Sequence, residues 1–445
     1  MFTVDRKTQL TPAVICEFIK RHQSTLERYD KLKRYYDDEH DILSRQKRSV
    51  LANNRLVCNH AKYISDTATG YFAGNPVKYS SEQDITALTN ILRAADAETQ
   101  DADLALKASI YGKAYEFIYT NEQGEPRLAS LSPQNAFVIY DDTVEQLPQA
   151  GVYYYKLIDS VTNTHKGYAV YVSKPDVLEY FVTNTAFAQT GEIIPKVNGY
   201  KGVQIIEIYN NTFCKGDFEP VISLIDAYNI LQSDRVNDKE QFVEAILLIK
   251  GQTFGDDNDE KSETYKALKE NGLLELDTDA SAEWLTRQFD ENSVEVLRKS
   301  LEQDIHKFSN VPCMSDENFG GNASGVAMRY KLLGFEQLTK IKERYFKEAL
   351  RERLRLLCNF CDMVGRSKIE PRDISIKLTR ALPVNEAEQA QIVAELNGLI
   401  PTEILLGLLP FVEDPKSAAE QIEQQRKAEQ QIILNTMPAE LNDDE

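Results

Sequence analysis

Residues Val311–Gly325 read Val-Pro-Cys-Met-Ser-Asp-Glu-Asn-Phe-Gly-Gly-Asn-Ala-Ser-Gly and separate two stretches of helical periodicity. Pro312 lacks the amide hydrogen that a helix interior needs, and Gly320-Gly321 disfavours helix because glycine loses the most backbone freedom on ordering. The segment 311–322 is therefore predicted to be a loop. From Ala323 to about Cys361 the sequence predicts one helix, longer than the roughly 8 to 20 residues of most globular helices.

A stripe of basic residues runs along one side of this long predicted helix. Its i, i+4, i+7, i+11 and i+15 spacing places all members on one narrow line of a helix. Interleaved Glu343, Glu348 and Glu352 favour a solvated or intersubunit ion-pair face, and contact with DNA phosphates is the alternative. The stripe consists of Lys340, Arg344, Lys347, Arg351 and Arg355.

Two further helices are predicted on either side of a small module that precedes the loop. The first covers residues 219–241 and the second covers 291–310, and both carry apolar residues at helical spacing. The module between them, 242–290, contains short apolar runs and an acidic loop at 256–260. This pattern predicts a helical stalk that carries a small α/β head.

The part of the chain before residue 219 predicts helices first and strands afterwards. From Gly112 to Asn210, short runs of β-branched and aromatic residues alternate with turn sequences such as Asn121–Gly124, which is typical of antiparallel sheet. The predicted fold class is therefore α+β. The expected strands are Tyr115–Thr120, Ala136–Tyr140, Gly151–Ile158, Tyr168–Ser173 and Val203–Tyr209.

The chain beyond the long helix predicts one strand and then more helices. Asp373–Arg380 has the alternation of a strand that returns to the first half of the chain. Residues 385–433 are rich in Gln, Glu and Ala and predict helices interrupted at Pro401, Pro410 and Pro415.

The composition narrows the classes of function. The 445 residues carry 70 acidic and 51 basic side chains, a net charge of −19, which disfavours a protein that grips DNA phosphates over most of its surface. The longest apolar runs are far shorter than the roughly 20 residues that span a bilayer, and the first residues show no signal-peptide pattern. We therefore expect no membrane contact and a protein that stays in the cytoplasm where it is made.

Motifs of catalysis and cofactor binding were not found in the sequence. It has no phosphate-binding loop, no Gly-x-Ser-x-Gly and no histidine pair at metal-ligand spacing, so we expect no enzyme activity, metal or cofactor. Cys358 and Cys361 have Cys-x-x-Cys spacing without a second pair, which favours packing over a metal or redox role. The carboxylate pairs Asp141-Asp142 and Asp256-Asp257 fit turns better than a nuclease metal site.

Six short stretches stand out between and within the predicted elements. None marks catalytic chemistry, but their order and spacing make the set specific, and it extends over nearly the whole chain. Together they resemble the portal proteins of tailed double-stranded-DNA bacteriophages, in the branch typical of siphophages of Gram-positive bacteria. The stretches are Asn53–Leu56, Asn59–Ile64, Tyr71–Val77, Tyr111–Glu116, Ser233–Asp238 and Phe319–Gly325.

The resemblance implies an architecture for the α+β chain: a portal-like subunit with an α/β wing, a two-helix stem, a small α/β clip, a long helix and a helical crown. It implies the first part of the wing at 1–218, stem helices at 219–241 and 291–310, and the clip at 242–290. It further implies a tunnel loop at 311–322, the long helix with the return strand to the wing at 323–384, and the crown at 385–445.

By the same resemblance, the tunnel loop narrows a channel around DNA. Because this loop carries no Lys or Arg, we expect it to act sterically, with Gly320-Gly321 as its hinge. The residues expected to lie near DNA are Met314, Ser315, Asp316, Glu317, Asn318, Phe319, Gly320, Gly321 and Asn322.

The function that the resemblance implies is that of a portal protein, not an enzyme. Such a chain forms a dodecameric ring at the unique capsid vertex and conducts double-stranded DNA during packaging and ejection. Its expected partners are its own copies, the terminase large subunit, head–tail connector or adaptor proteins, and capsid and scaffold proteins. Its expected location is the virion, after assembly in the host cytoplasm.

Two alternatives stay open at this point. One is another ring-forming head scaffold or adaptor protein, which would share the acidity and the helices but is usually far shorter. The other, more remote, is a metal-dependent nuclease that uses Asp256 and Asp257.

Overall fold

The fold is α+β, as the sequence predicts. None of the helices in the described parts of the chain is long and apolar enough to cross a membrane. The described residues up to Ala381 belong to one compact unit, and those from residue 386 onwards belong to a second. The computed structural model describes residues 2–47, 52–243, 246–250, 281–285, 291–314, 330–381, 386–407, 409, 412 and 415–436.

Helices dominate the first hundred or so residues, as the sequence predicts. The helix that follows the extended segment 52–59 begins at His60, because the side chain of Asn59 caps it and accepts the backbone N–H of Lys62 at 2.8 Å. The helices are α1 Pro12–Gln23, α2 Leu26–Tyr36, α3 His60–Ala73, α4 Thr86–Ala94 and α5 Ala97–Tyr111, with a 3₁₀ turn at Asp41–Ser44.

Ten strands lie in the described chain before residue 210. All five predicted strands are present, as β3, β5, β6, β7 and β10, and the turn-rich sequence between them supplies additional short ones. The strands are β1 Phe2–Val4, β2 Lys78–Ser80, β3 Lys113–Thr120, β4 Pro126–Leu131, β5 Ala136–Asp141, β6 Pro148–Ile158, β7 His165–Ser173, β8 Val177–Thr183, β9 Ile194–Val197 and β10 Ile205–Tyr209.

Two sheets organise most of these strands. The larger has the order β1-β5-β6-β7-β8-β9 and is antiparallel except for the parallel β1–β5 pair, and the smaller has the order β10-β3-β4. Helix α1 packs on the larger sheet through Ile15, Phe18 and Ile19, which are buried in one hydrophobic core with residues such as Phe137 and Val170. Strands β5 and β7 of this sheet are buried over most of their length.

The junction between α5 and β3 requires glycine. Gly112 ends α5 in the left-handed region, with φ +86°, and its N–H donates to the carbonyl of Ala108. A Cβ atom at this position would lie 2.0 Å from the carbonyl oxygen of Cys214. Both the positive φ and this close approach exclude other residues, so Gly112 sets the direction in which β3 leaves the helix.

The described residues between 219 and 377 form three long helices and short strands. The 3₁₀ turn Glu219–Val221 leads into α6 Ile222–Val243, and α7 Glu291–Ser309 packs along α6. Between them, strand β11 Ile246–Lys250 pairs antiparallel with β12 Ser281–Leu285. The long helix α8 Leu333–Met363 follows, and strand β13 Ser375–Lys377 pairs antiparallel with β2.

Helix α8 completes a second core of the first unit. Its residues Phe346, Leu350, Leu354 and Leu357 are buried in one cluster with side chains of α4, α5, β3 and β10. The helix is therefore amphipathic, with one side inside this core.

The second unit consists of helices in its described residues. They are α9 Glu386–Leu396, α10 Thr402–Leu406 and α11 Pro415–Thr436. Pro401 and Pro415 stand at helix starts, where the missing N–H of proline costs no intrahelical hydrogen bond.

Candidate functional site

An ion-pair network joins the two helices that the sequence predicts as a stem. Arg235 of α6 contacts Glu291 and Glu295 of α7, the latter at 3.1 Å. On α7, Arg298 binds Glu295 at 2.8 Å and Glu302 at 2.7 Å. Hydrogen bonds from Arg298 and then from Arg235 lower the pKa of Glu295 to about 2. The network holds α6 and α7 side by side at the end where they meet the β11–β12 strand pair.

A row of side-chain hydrogen bonds, called the zipper below, holds the extended segment 52–59 against α6. The backbone N–H groups of every second residue in the segment donate to side-chain oxygens at every fourth residue of the helix. The three hydrogen bonds are Cys58 N to Asn229 Oδ1 at 2.8 Å, Leu56 N to Ser233 Oγ at 2.9 Å and Asn54 N to Asn237 Oδ1 at 2.6 Å.

The spacing of the acceptors along α6 matches the spacing of the donors along the extended segment. Four residues of an α-helix rise about 6.0 Å, and two residues of an extended chain advance about 6.6 Å. A row of polar side chains at i, i+4 and i+8 can therefore satisfy alternate amides of an extended segment that has no sheet partner. Asn229, Ser233 and Asn237 serve in this way as the acceptors that a neighbouring strand would otherwise supply.

The polar side of α6 consequently faces protein. Asn229, Ser233 and Asn237 lie on the polar side of α6, yet all three are fully buried. Asp234 accepts hydrogen bonds from Arg45 and Lys47, and Asn229 also donates to the imidazole of His40 at 2.9 Å. Helical periodicity could identify the polar face but not its neighbour, because that neighbour lies almost 200 residues earlier.

The start of the predicted tunnel loop is held by a tyrosine. Tyr63 of α3 donates its hydroxyl to the carbonyl of Pro312 at 3.3 Å and accepts the backbone N–H of Met314 at 2.8 Å. Just before these residues, Val311 is buried and its carbonyl accepts a hydrogen bond from the His306 imidazole at 2.9 Å. The first residues of the loop are thereby fixed to α3 and to the end of α7.

Of the predicted DNA-proximal residues, Met314 is described, and its side chain is exposed. The others, Ser315, Asp316, Glu317, Asn318, Phe319, Gly320, Gly321 and Asn322, lie outside the described residues. Their role at the channel stays a prediction.

The basic stripe divides into paired and unpaired members on α8. Lys347 binds Glu343 at 2.7 Å, Arg355 binds Glu352 at 2.5 Å, and Lys340 lies 4.0 Å from Glu336. Arg344 and Arg351 are exposed and form no ion pair within the part of the chain that the structure describes. These two residues are therefore the members of the stripe available to another chain or to DNA.

The arginine that is most important for packing on α8 was not identified from the sequence. Arg353 is fully buried, and its guanidinium binds Asp101 of α5 at 2.5 Å and Glu116 of β3 at 2.8 Å. The two carboxylates raise the pKa of Arg353 well above its usual value against the effect of burial, so it stays charged. An arginine among leucines on the apolar side of a helix is the signal that predicts such a pair.

Three other residues singled out in the sequence are packed in a core or hydrogen-bonded in a turn. Cys358 and Cys361 are buried in the core around α8, and burial raises the pKa of Cys358 to about 12. Asp141 accepts hydrogen bonds from Thr143 and from the backbone of Leu147, as a turn residue does. Asp256 and Asp257 lie outside the described residues.

The characteristic stretches of the sequence meet elements that are distant along the chain. Five stretches do so within the described residues, and Phe319–Gly325 falls outside them. Asn53–Leu56 meets Ser233–Asp238 in the zipper, Tyr63 meets Pro312, Tyr71 donates to Glu336 at 2.7 Å, and Glu116 meets Arg353.

The amino-acid sequence matches a family model described as "Phage portal protein, SPP1 Gp6-like" over residues 16–431. The portal protein of Clostridium phage phiCD119 is 23% identical over 435 residues, covering 91% of this chain and 93% of that protein. The portal protein of Bacillus phage SPP1 is 22% identical over 454 residues, covering 93% of this chain and 86% of that protein.

Among solved structures, a chain described as "Neck of empty GTA particle computed with C6 symmetry" is similar, with a TM-score of 0.48 and 12% identity. The likeness covers 85% of this chain and 93% of that one.

The match to the family model includes the zipper, the helix pair, α8 and most of the second unit. This match places the chain in the class of phage portal proteins. The chain belongs to the SPP1 Gp6-like family of phage portal proteins.

Proposed function

We propose that the chain assembles as a dodecameric ring at the unique capsid vertex. In this role it conducts double-stranded DNA during packaging and ejection. The ring is a docking platform for the terminase large subunit and later for the head–tail connector, and it contacts capsid and scaffold proteins. The role is mechanical and needs no catalytic chemistry. The ring assembles in the host cytoplasm and is located in the virion when finished.

The observation that carries the ring proposal is the exposed apolar surface of the long helices. Val296, Leu297 and Phe308 of α7 and Leu333 and Ile341 of α8 are all exposed in the single chain, Val296 to 70%. Several exposed apolar side chains on these helices favour a site of protein association, and copies arranged in a closed ring would cover them.

The channel proposal is supported by how the helix pair and the loop start are fastened. The zipper holds α6 to the segment 52–59, and the ion pairs of Arg235 join α6 to α7. Tyr63 holds Pro312 and Met314. A loop that extends from such a fixed start can narrow a channel without the helices moving. Residues 311–322 serve as this tunnel loop in the proposal.

Charge supports sliding rather than gripping of DNA. The chain has a net charge of −19, and three of the five stripe residues are near carboxylates of their own helix. Because the ring makes few contacts with the phosphates, it binds DNA weakly at each position, and the DNA can slide through. We assign Arg344 and Arg351 to ion pairs with a neighbouring subunit.

The docking surfaces in this proposal lie at two separate regions of the chain. The region 242–290, whose described strands β11 and β12 form one antiparallel pair, is assigned to the terminase and connector. The crown, 385–445, is assigned to the inside of the capsid. The support for both assignments is family membership together with the position of β11 and β12 between α6 and α7 in the sequence.

The test is electron microscopy of the purified protein in negative stain, with mass from light scattering. We expect closed rings with a central hole for the wild type. The variant Val296→Asp should shift the protein to smaller species, because a buried unpaired carboxylate at each subunit contact opposes association.

The matched control is Val161→Asp, at a valine that is 91% exposed in the turn between β6 and β7. It should form rings as the wild type does. A compact monomer or dimer that cuts plasmid DNA with magnesium or manganese would overturn the proposal. If Val296→Asp assembles as well as the wild type, the assignment of α7 to the subunit contact is wrong.

A further inference from the structure

Three side chains of different chemistry converge where α7 ends and the segment 311–314 begins. Glu302 and His306 lie one turn apart on α7, and Cys313 follows Pro312. One potential ligand atom from each of the three lies within 4.8 Å of the other two. All three side chains are half-buried. Neither the portal function nor the network of ion pairs accounts for this convergence.

The hydrogen bonding of His306 leaves its outer nitrogen ready to bind. Its Nδ1 lies 2.9 Å from the carbonyl oxygen of Val311, and because a carbonyl only accepts, Nδ1 carries the proton. The Nε2 atom of a neutral His306 then has a free lone pair. A backbone carbonyl that fixes the tautomer in this way is the usual companion of a histidine that binds a metal ion.

We propose that Glu302, His306 and Cys313 form a binding site for a borderline transition-metal ion of the Zn²⁺ class. The ligands would be a carboxylate oxygen, the imidazole Nε2 and the thiolate Sγ. Sulfur and nitrogen donors select such ions over Mg²⁺ and Ca²⁺, which bind oxygen. Three protein ligands leave the fourth tetrahedral position to water.

The surroundings are compatible with an ion at this place. Ligand atoms around tetrahedral zinc are separated by roughly 3.3 to 3.8 Å, so the three side chains would need to close in by about 1 Å. Arg298 holds one oxygen of Glu302 at 2.7 Å and leaves the other for the ion. The rings of His60 and Tyr63 pack against His306, at 5.8 and 5.5 Å between ring centres, and restrict its rotation.

The proposed ion would join α7 to the chain that leads into the predicted tunnel loop. Tyr63 already holds Pro312 and Met314 on either side of Cys313, so the thiol is kept near the helix before any ion binds. The site is independent of ring formation and DNA passage. Its test therefore needs neither activity.

The experiment is a titration of the full-length, chelator-treated, reduced protein with Co²⁺, a spectroscopic substitute for Zn²⁺. We expect one ion per chain, a thiolate-to-cobalt charge-transfer band and the visible bands of tetrahedral cobalt, all displaced by added Zn²⁺. Cys313→Ser should abolish the charge-transfer band. His306→Gln should weaken binding at least about tenfold, since loss of even an outer-shell partner costs roughly 10- to 100-fold.

The matched control is Cys214→Ser, which removes another half-buried cysteine outside this cluster. It should bind cobalt like the wild type. Circular dichroism and light scattering of each variant separate loss of the site from loss of the fold or the ring. The proposal is overturned if the wild type shows no thiolate-to-cobalt band, or if correctly folded Cys313→Ser retains it.

Discussion

Arg353 connects three elements of the first unit through one guanidinium group. It extends from α8 into the core and binds Asp101 of α5 and Glu116 of β3, and all three side chains are almost completely buried. Buried charges are tolerated only when paired, because each loses its hydration. The Tyr111–Glu116 stretch thus contributes a helix stop at Gly112 and a buried partner at Glu116.

We expect Arg353→Met to lower the free energy of unfolding by about 3 to 5 kcal/mol, since it leaves two carboxylates buried together without a cation. Chemical denaturation followed by circular dichroism measures this. The control is Arg372→Met at an exposed arginine of the same unit, which should change stability by about 0.5 kcal/mol or less. Equal stability of Arg353→Met and Arg372→Met would contradict the buried ion pair.

At the scale of elements, the zipper explains how an irregular segment can be ordered. The residues 52–59 belong to no sheet, yet their alternate amides are satisfied by α6. The same helix contacts α7 through Arg235, so α6 has partners on two sides. Contacts on two sides fix the position of α6 relative to both the segment 52–59 and α7.

We expect Asn229→Ala to destabilise the protein by about 2 to 3 kcal/mol, because it removes the acceptor of Cys58 N and the donor to His40. Hydrogen exchange measured by mass spectrometry should show faster exchange in peptides that cover 52–59. The control Ser223→Ala lies on the exposed side of α6 and should leave both quantities unchanged. Unaltered exchange at 52–59 in Asn229→Ala would count against the zipper.

For the whole molecule, buried neutral histidine makes stability depend on pH. His22 is buried between α1 and the larger sheet, donates from Nε2 to the carbonyl of Pro133 and accepts the hydroxyl of Tyr154 at Nδ1. Burial, with a smaller contribution from the charge of Lys113, lowers its pKa from 6.5 to about 4. The unfolded chain therefore binds a proton between these values that the folded chain does not.

The contribution of His22 to stability is present above pH 6.5 and is lost as the pH falls towards 4. Between about pH 7 and about pH 5 the free energy of unfolding should fall by about 2 kcal/mol from this residue alone. In His22→Gln that part of the dependence should vanish, as measured by urea denaturation in chelator at both pH values. The control His165→Gln changes a histidine outside the core and should keep the wild-type dependence.

The local pattern of the sequence was sufficient for the fold class and for most elements. Apolar spacing along α7 and α8, the strands around β6 and β7, and the break at Pro312 all follow from periodicity and from backbone chemistry. The short stretches also identified the portal family, which the family model confirms. These features depend on neighbours within one or two turns or one strand, and a sequence displays them directly.

Tertiary structure alone decided which polar groups meet. The buried face of α6, the Arg353 cluster and the convergence of Glu302, His306 and Cys313 were not predicted. Arg353 and Glu116 are 237 positions apart, and Tyr63 and Met314 are 251 apart. Helical periodicity specifies the side of a helix on which a residue lies, but the element packed against that side depends on how the whole chain folds. The sequence therefore determined the elements and the family, and the packing of distant segments determined the contacts of the candidate site.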